Sequence, residues 1–206
     1  MDDGTVALTT LSDVSIVAPR STASHDGGTS TSGHVWGWWV AADRVRSVSE
    51  DFRIERVSIT HPDAQLLVEA VQEEYVARYG GRDDSPIDPR DFDDPLGSFF
   101  VGHLDGTPVA TGAWRRSAVK ALGAQVTAEV KRMYVVPAAQ RRGLARRMLA
   151  HLEATAAAEG IEALVLETGM RQPEAIELYL SSGYEPIPGF GYYADSDLSR
   201  CFGRRI

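Results

Sequence analysis

The stretch VKRMYVVPAAQRRGLARR, Val130 to Arg147, decides the reading of this chain. It runs from a β-pattern through a proline break into a glycine-containing turn that opens a helix. Such a turn is an anion cradle, because the first N–H groups of a helix have no intrahelical partner and the macrodipole adds partial positive charge there. Arg141, Arg142, Arg146 and Arg147 crowd the first two turns, where the dipole disfavours cations unless something negative compensates them. The plainer alternative is a solvated basic face. Other phosphate turns lack their residues: there is no G-x-x-x-x-G-K-[ST], and no G-x-G-x-x-G after a strand with a downstream acid. No metal is expected either. Cys201 is the only cysteine and reads as a small hydrophobe, and His25, His34, His61, His103 and His151 show no paired ligand spacing.

The chain has 206 residues, 43% hydrophobic and 24% charged, enough for one substantial core plus an appendage. A single cysteine forms no intrachain disulfide, which suits a reducing cytoplasm. The net charge of -8 argues against nucleic-acid binding and mildly favours cationic partners such as amines. Residues 1–52 form an N-terminal extension whose first part is rich in Gly, Ser, Thr and Asp without sustained period, a linker-like composition. Its acidic start and missing apolar segment do not fit a signal peptide. The run Val35-Trp36-Gly37-Trp38-Trp39-Val40 is too short to span a bilayer, so no membrane partner is expected. Docking on the domain, self-association into a homodimer, or an extension with no part in folding all remain open for it. The domain proper is set at residues 53–206.

Within that domain the pattern is orderly. Arg56 to Ile59 reads as a strand, and Thr60 or His61 precedes Pro62 at a helix start. Leu66, Leu67, Ala70, Val71 and Tyr75 recur at helical spacing until Gly80-Gly81. Residues 82–97 are loop-like, with a turn of helix near Asp91. Residues 98–104 and 108–114 read as strands joined around Asp105-Gly106, a tight hairpin pair. A third long strand spans 124–136. A helix over 142–158 carries Leu144, Met148 and Leu152 on one stripe and is closed by Gly160. Strand 164–167, helix 173–182, strand 184–187 and a last strand within 198–205 complete the order, an α+β arrangement with a mixed sheet and flanking helices.

The turn Gln140-Arg141-Arg142-Gly143-Leu144-Ala145, set between strand and helix and followed by LVLET (164–168) and PEAIELYLSSGYEPI (173–187), resembles the Q/R-x-x-G-x-G/A pattern of the GNAT family of acyl-CoA-dependent N-acyltransferases. The resemblance covers roughly Arg56 to Ile206. It implies a three-layer fold with a mainly antiparallel central sheet whose two central strands, here 128–136 and 164–168, splay around acyl-CoA. By the same resemblance, the backbone of Met133, Tyr134 and Val135 pairs with the pantetheine arm, and Gln140 to Arg146 hold the pyrophosphate of acetyl-CoA. The same three strand residues also read as plain β core, and main-chain pairing is compatible with side-chain packing.

Direct transfer from thioester to amine needs a deprotonated amine, a stabilised oxyanion and a proton for the thiolate. Tyr179 lies in the I-E-L-Y segment matching the family's frequent L-Y pair, and a phenol of pKa near 10 can donate that proton. It also reads as an aromatic packed beside Ile176 and Leu180. Glu129, eleven positions before Gln140, stands where some family members place the strand glutamate that takes the amine proton. Its alternative is an ion pair with Lys131 or Arg115, and Glu73 or Glu74 are further candidates. Tyr75, Tyr79, Asp83, Asp84, Phe92, Phe190, Tyr192 and Tyr193 are candidates for an acidic, aromatic acceptor pocket. The resemblance therefore implies an N-acetyltransferase acting on a primary amine of a small molecule or peptide. The rival is a non-catalytic acyl-CoA-binding or sensory module, against which the presence of both Glu129 and Tyr179 speaks.

Overall fold

The computed structural model describes residues 51–206. The extension read at 1–52, with its tryptophan run, lies outside the described residues except for Asp51 and Phe52.

Strands β1 (Phe52–Val57), β2 (Gly97–Leu104), β3 (Thr107–Ser117), β4 (Thr127–Val135), β5 (Ala163–Gly169), β6 (Glu185–Pro186) and β7 (Ser199–Arg205) form one sheet in the order β1-β2-β3-β4-β5-β7-β6. Only β4 and β5 are parallel. Helices α1 (Pro62–Tyr79), α2 (Leu144–Ala158) and α3 (Pro173–Ser181) complete the expected mixed, mainly antiparallel three-layer fold. Asp105 and Gly106 join β2 to β3 with positive φ of 49° and 82°, the backbone a tight hairpin demands.

Helix α1 begins at Pro62, where the His61 ring accepts the Asp63 N–H at 3.2 Å, and ends at Gly80, whose left-handed φ of 83° lets its N–H donate to the Val76 carbonyl at 2.8 Å. Its buried row is Ala64, Leu67 and Val71, of which Ala64 and Leu67 close a core with Phe92, Phe99 and Val101. Leu66 is 62% exposed, contrary to the sequence expectation, because a step of about 100° per residue carries it off that row. On the other face, Leu144, Met148, Leu149 and Leu152 of α2 pack with Tyr179 of α3 on Trp114, Leu164 and Leu166. Each fully buried aliphatic side chain of this core contributes about 1.5–3 kcal/mol.

Several boundaries move. Strand β1 starts at Phe52 rather than Arg56, β4 starts at Thr127, and β6 has two residues instead of four. The loop over 82–97 does contain its helical turn, Pro89–Phe92. Helix α2 starts at Leu144, since Arg141 (φ 60°) and Gly143 (φ 77°) are left-handed and cannot sit inside a helix. Arg141 and Arg142 thus precede the helix, while Arg146 and Arg147 occupy its first turn.

Two irregularities shape the sheet centre. Opposite Gly112, β4 carries two residues, Arg132 and Met133, between the pairs Thr111↔Tyr134 and Ala113↔Lys131. Arg132 takes up this bulge with a φ of 54°. A side chain at Gly112 would stand 2.9 Å from Met148 Cγ and 3.0 Å from Met133 Sδ, so the bulge opposes a glycine. The second irregularity is the parting of β4 and β5, which pair only from Thr127↔Ala163 to Val130↔Leu166. Beyond that point Lys131 to Val135 and Glu167 to Gly169 run on without each other. No described helix is long and apolar enough to cross a membrane.

Candidate active site

A cavity of about 370 Å³ opens where β4 and β5 part. Its walls come from both helical layers: Tyr75 and Tyr79 of α1 on one side, Ala175 and Tyr179 of α3 on the other, with Lys131 to Met133 and Glu167 to Gly169 between them. The gap in the sheet thus joins its two faces. Loop residues Asp83, Asp84 and Tyr193 close one side.

Tyr179 is 5% exposed and packs edge-on to Tyr184 at 5.7 Å between ring centres. Burial raises its phenol above the ordinary value, and the neighbouring Tyr75 adds to the shift. Both keep the proton on oxygen at neutral pH, as a general acid requires. Tyr75 is pushed up to about 12, chiefly by burial. The Tyr79 hydroxyl is buried without a hydrogen-bond partner, beside Gly169, where a side-chain carbon would fall 1.9 Å from it.

The acidic loop is tied down. Asp83 forms an ion pair with Arg132 at 2.7 Å and accepts hydrogen bonds from the Ser85 N–H and the Tyr193 hydroxyl. Burial works to raise its carboxyl, but the Ser85 hydrogen bonds and the Arg132 charge outweigh that and hold it below the usual value. Of the expected acceptor residues, Tyr75, Tyr79, Asp83, Asp84 and Tyr193 meet at the cavity. Phe92 instead packs edge-on against Phe99 in the core, and neither Phe190 nor Tyr192 lines the wall.

Glu129 is 6% exposed and sits where β4 and β5 are still paired, opposite Val165. Both of its alternative partners hold it: Lys131 at 2.7 Å on Oε1, and Arg115 at 3.0 Å on Oε2. Lys131 lines the cavity and Glu129 does not. Glu74 pairs with Arg78 one turn on, and neither it nor Glu73 reaches the wall.

At the turn, Gly143 is the N-cap of α2 and has no side chain with which to cap the first N–H groups. Nothing lies within 4 Å of a side-chain carbon built there, so conformation and not crowding calls for glycine. The Gln140 side chain donates to the Val135 carbonyl at 3.0 Å, fastening the turn to β4. Arg146 reaches Ser181 and Ser182 at the end of α3, at 2.8 and 3.0 Å. Arg147 donates to the Phe52 carbonyl and stacks on its ring, 4.7 Å from the centroid. Tyr134 and Val135 pair with β3 on one edge, while the edge of β4 that faces β5 has no strand partner from Lys131 onward.

Sequence reasoning missed Arg132 and Glu167 as cavity residues. For Glu167 the signal was present, a carboxylate closing the apolar run Leu164-Val165-Leu166. For Arg132 it was not, because strict alternation places it on the other face.

Residues 65–184 match the sequence model of the Acetyltransferase (GNAT) family. The chain is similar to a protein of Azospirillum brasilense named IAA acetyltransferase, at 39% identity over 101 residues, 49% of this chain and 63% of that relative. Among solved structures it resembles the GNAT domain of S. lividans PAT (22% identity, TM-score 0.56, covering 75% of this chain and 90% of that one). It also resembles the PaiA N-acetyltransferase of Thermoplasma acidophilum in complex with coenzyme A (14% identity, TM-score 0.56, 76% and 99% covered). With the match running through the parted strands, the turn at Gly143 and the helix of Tyr179, this chain belongs to the GNAT acetyltransferase family.

Proposed function

We propose that the protein transfers an acetyl group from acetyl-CoA directly to a primary amine of a small molecule or peptide. One observation carries this: the cavity passes through the sheet, so a thioester and an amine can enter from opposite faces and meet between β4 and β5. Holding two reactants in line is itself worth several orders of magnitude in rate. The Azospirillum relative's name and the coenzyme A of the Thermoplasma structure support the choice of donor.

In this proposal the turn from Gln140 to Arg146 binds the pyrophosphate. Uncapped N–H groups at Leu144 and Ala145, next to Arg141 and Arg142, suit it. The unpaired edge of β4 at Met133, Tyr134 and Val135 receives the pantetheine amides, with the Val135 carbonyl already engaged by Gln140. Tyr179 protonates the departing thiolate. Glu129 is the base candidate singled out by the sequence, with its two oxygens held by Lys131 and Arg115. The reaction is placed in the cytoplasm. Thiol release from acetyl-CoA on a panel of primary amines tests the proposal. An acyl-CoA-binding module would bind the thioester and release no thiol with any of them.

A further inference from the structure

We infer that Glu167 is the group that takes the proton from the acceptor amine. The inference rests on the acetyl-transfer proposal and names a residue in it. Glu167 is the first residue of β5 beyond the last pair with β4, Val130↔Leu166, and so stands at the fork of the parted strands. It lines the cavity and is half-buried. Ser199 donates to its Oε1 at 2.6 Å, which fixes the carboxyl plane. Its Oε2 makes no hydrogen bond among the described residues, and it lies beneath the loop at Gly191, where a side-chain carbon would come within 3.6 Å of it. One oxygen is thus anchored and the other is available.

The contrast with Glu129 is geometric. Glu129 has both oxygens taken by cations, lies one strand pair deeper and is absent from the wall. The charged and titratable groups around Glu167 are Lys131 and Glu129 from β4, Asp83 from the loop after α1, and Cys201 from β7. Lys131 is itself bridged to Glu129, and Asp83 to Arg132, so neither neighbouring charge is committed to Glu167. Burial raises the Glu167 carboxyl above the ordinary glutamate value; the Ser199 hydrogen bond and Lys131 oppose this, and Glu129 and Asp83 reinforce it. A raised carboxylate pKa brings the base closer to neutral pH, where proton transfer from an ammonium is more efficient.

The protons balance as follows. The acceptor arrives as R–NH3+ and gives one proton to Glu167 Oε2, which later releases it to solvent. The free amine attacks the thioester carbonyl, forming the C–N bond. As the C–S bond breaks, Tyr179 protonates the sulfur and recovers a proton from the nitrogen of the intermediate. Acetamide, CoA thiol and one released proton result.

The test uses the full chain with acetyl-CoA and three probe amines: phenethylamine, spermidine and the dipeptide alanylglycine. Thiol release is followed from pH 5.5 to 10. The parent should show an acidic limb in kcat/KM. Glu167→Gln should move that limb up toward the pKa of the amine and fall about 10²-fold at pH 7, the smaller end of general-base effects. The deficit should close toward the pKa of the amine itself, where no base is needed. Acetyl-CoA affinity by calorimetry and the melting temperature should stay close to the parent's, and Glu167→Asp should recover part of the rate. A Glu167→Gln profile with the parent's limb, or a loss equal at every pH, would overturn the inference. An upward shift of the limb in Glu129→Gln alone would assign the base to Glu129. A parent that binds acetyl-CoA and acetylates none of the three amines would overturn the acetyl-transfer proposal itself, and this inference with it.

Discussion

Replacing Tyr179 with phenylalanine separates chemistry from packing, because the ring does structural service and the hydroxyl does none. The ring is buried at 5% exposure and packs against Tyr184 and Phe202, contacts that phenylalanine keeps. Among the described residues no hydrogen bond holds the Tyr179 hydroxyl, so its removal orphans no partner. Stability should therefore change by less than about 1 kcal/mol, which for a chain of this size moves the melting temperature by roughly 2–4 °C at most. Turnover should behave differently. General-acid assistance is worth about 10²–10⁴-fold, or roughly 2.7–5.4 kcal/mol of barrier. Because the proton is needed in the transition state, kcat and kcat/KM should fall together while calorimetric acetyl-CoA affinity barely moves. The pH profile gives an independent sign. An acid works only while protonated, so activity is present below the phenol's pKa and is lost as pH rises through it. Burial raises that pKa, which puts the parent's basic limb above the ordinary tyrosine value of 10.0. The phenylalanine variant should lack this limb. Thiol release within threefold of the parent, with the chemical step shown to limit turnover, would refute the role.

Gly143→Val forces a β-branched residue into a φ of 77°, and calorimetry should show acetyl-CoA bound at least tenfold more weakly, about 1.4 kcal/mol; unchanged affinity in a folded variant would remove the turn from the binding site. Gly169→Ala drives a methyl group to within 1.9 Å of the Tyr79 hydroxyl, and should cost about 1–3 kcal/mol by thermal melting while narrowing the cavity; a parent-like melting curve would show that Tyr79 yields freely. A chain starting at Asp51 should melt cooperatively near the full-length temperature and keep its turnover, since the Gly-, Ser- and Thr-rich first part of the preceding segment has little to bury; a large drop would assign the tryptophan run a place on the core. That shortened chain must retain Phe52, which is 6% exposed and carries Arg147 on its ring.

The elements that announced themselves in the sequence are those governed by local chemistry. Pro62 and Gly80 bracket α1, Asp105-Gly106 makes the hairpin, and the stripe of Leu144, Met148 and Leu152 is buried as its spacing implies. The errors fall where a longer-range constraint overrides the local pattern. Leu66 is apolar but off the buried row of α1. Arg142 lies outside α2 because the turn needs two left-handed residues around it. At the site, Tyr179 was legible from its segment, and Lys131 and Arg115 were named as partners of Glu129. Glu167 was legible as a carboxylate closing an apolar run, but not the fact that it lines the cavity while Glu129 does not. That depends on where β4 and β5 stop pairing, a property of two strands more than thirty residues apart.

The bulge at Arg132 and Met133 makes the two residues that share it unequal in what their loss would do. Counting outward from Val130, which faces α2, simple alternation would point Arg132 toward α2 and Tyr134 with it. The extra residue lets Lys131 and Arg132 share the α1 face, returns Met133 to the α2 core, and sends Tyr134 to the core under α1. Deleting Arg132 would remove the extra residue and leave Met133, Tyr134 and Val135 on their faces, at the cost of Asp83's partner, whereas deleting Met133 would turn the Arg132 guanidinium in among Met148 and Leu152. Loss of the Met133 codon should therefore cost far more stability than loss of the Arg132 codon, although each shortens the strand by one residue. The loop over 82–97, tied to the sheet through Asp83 and Asp91, has room to vary in length elsewhere along its course.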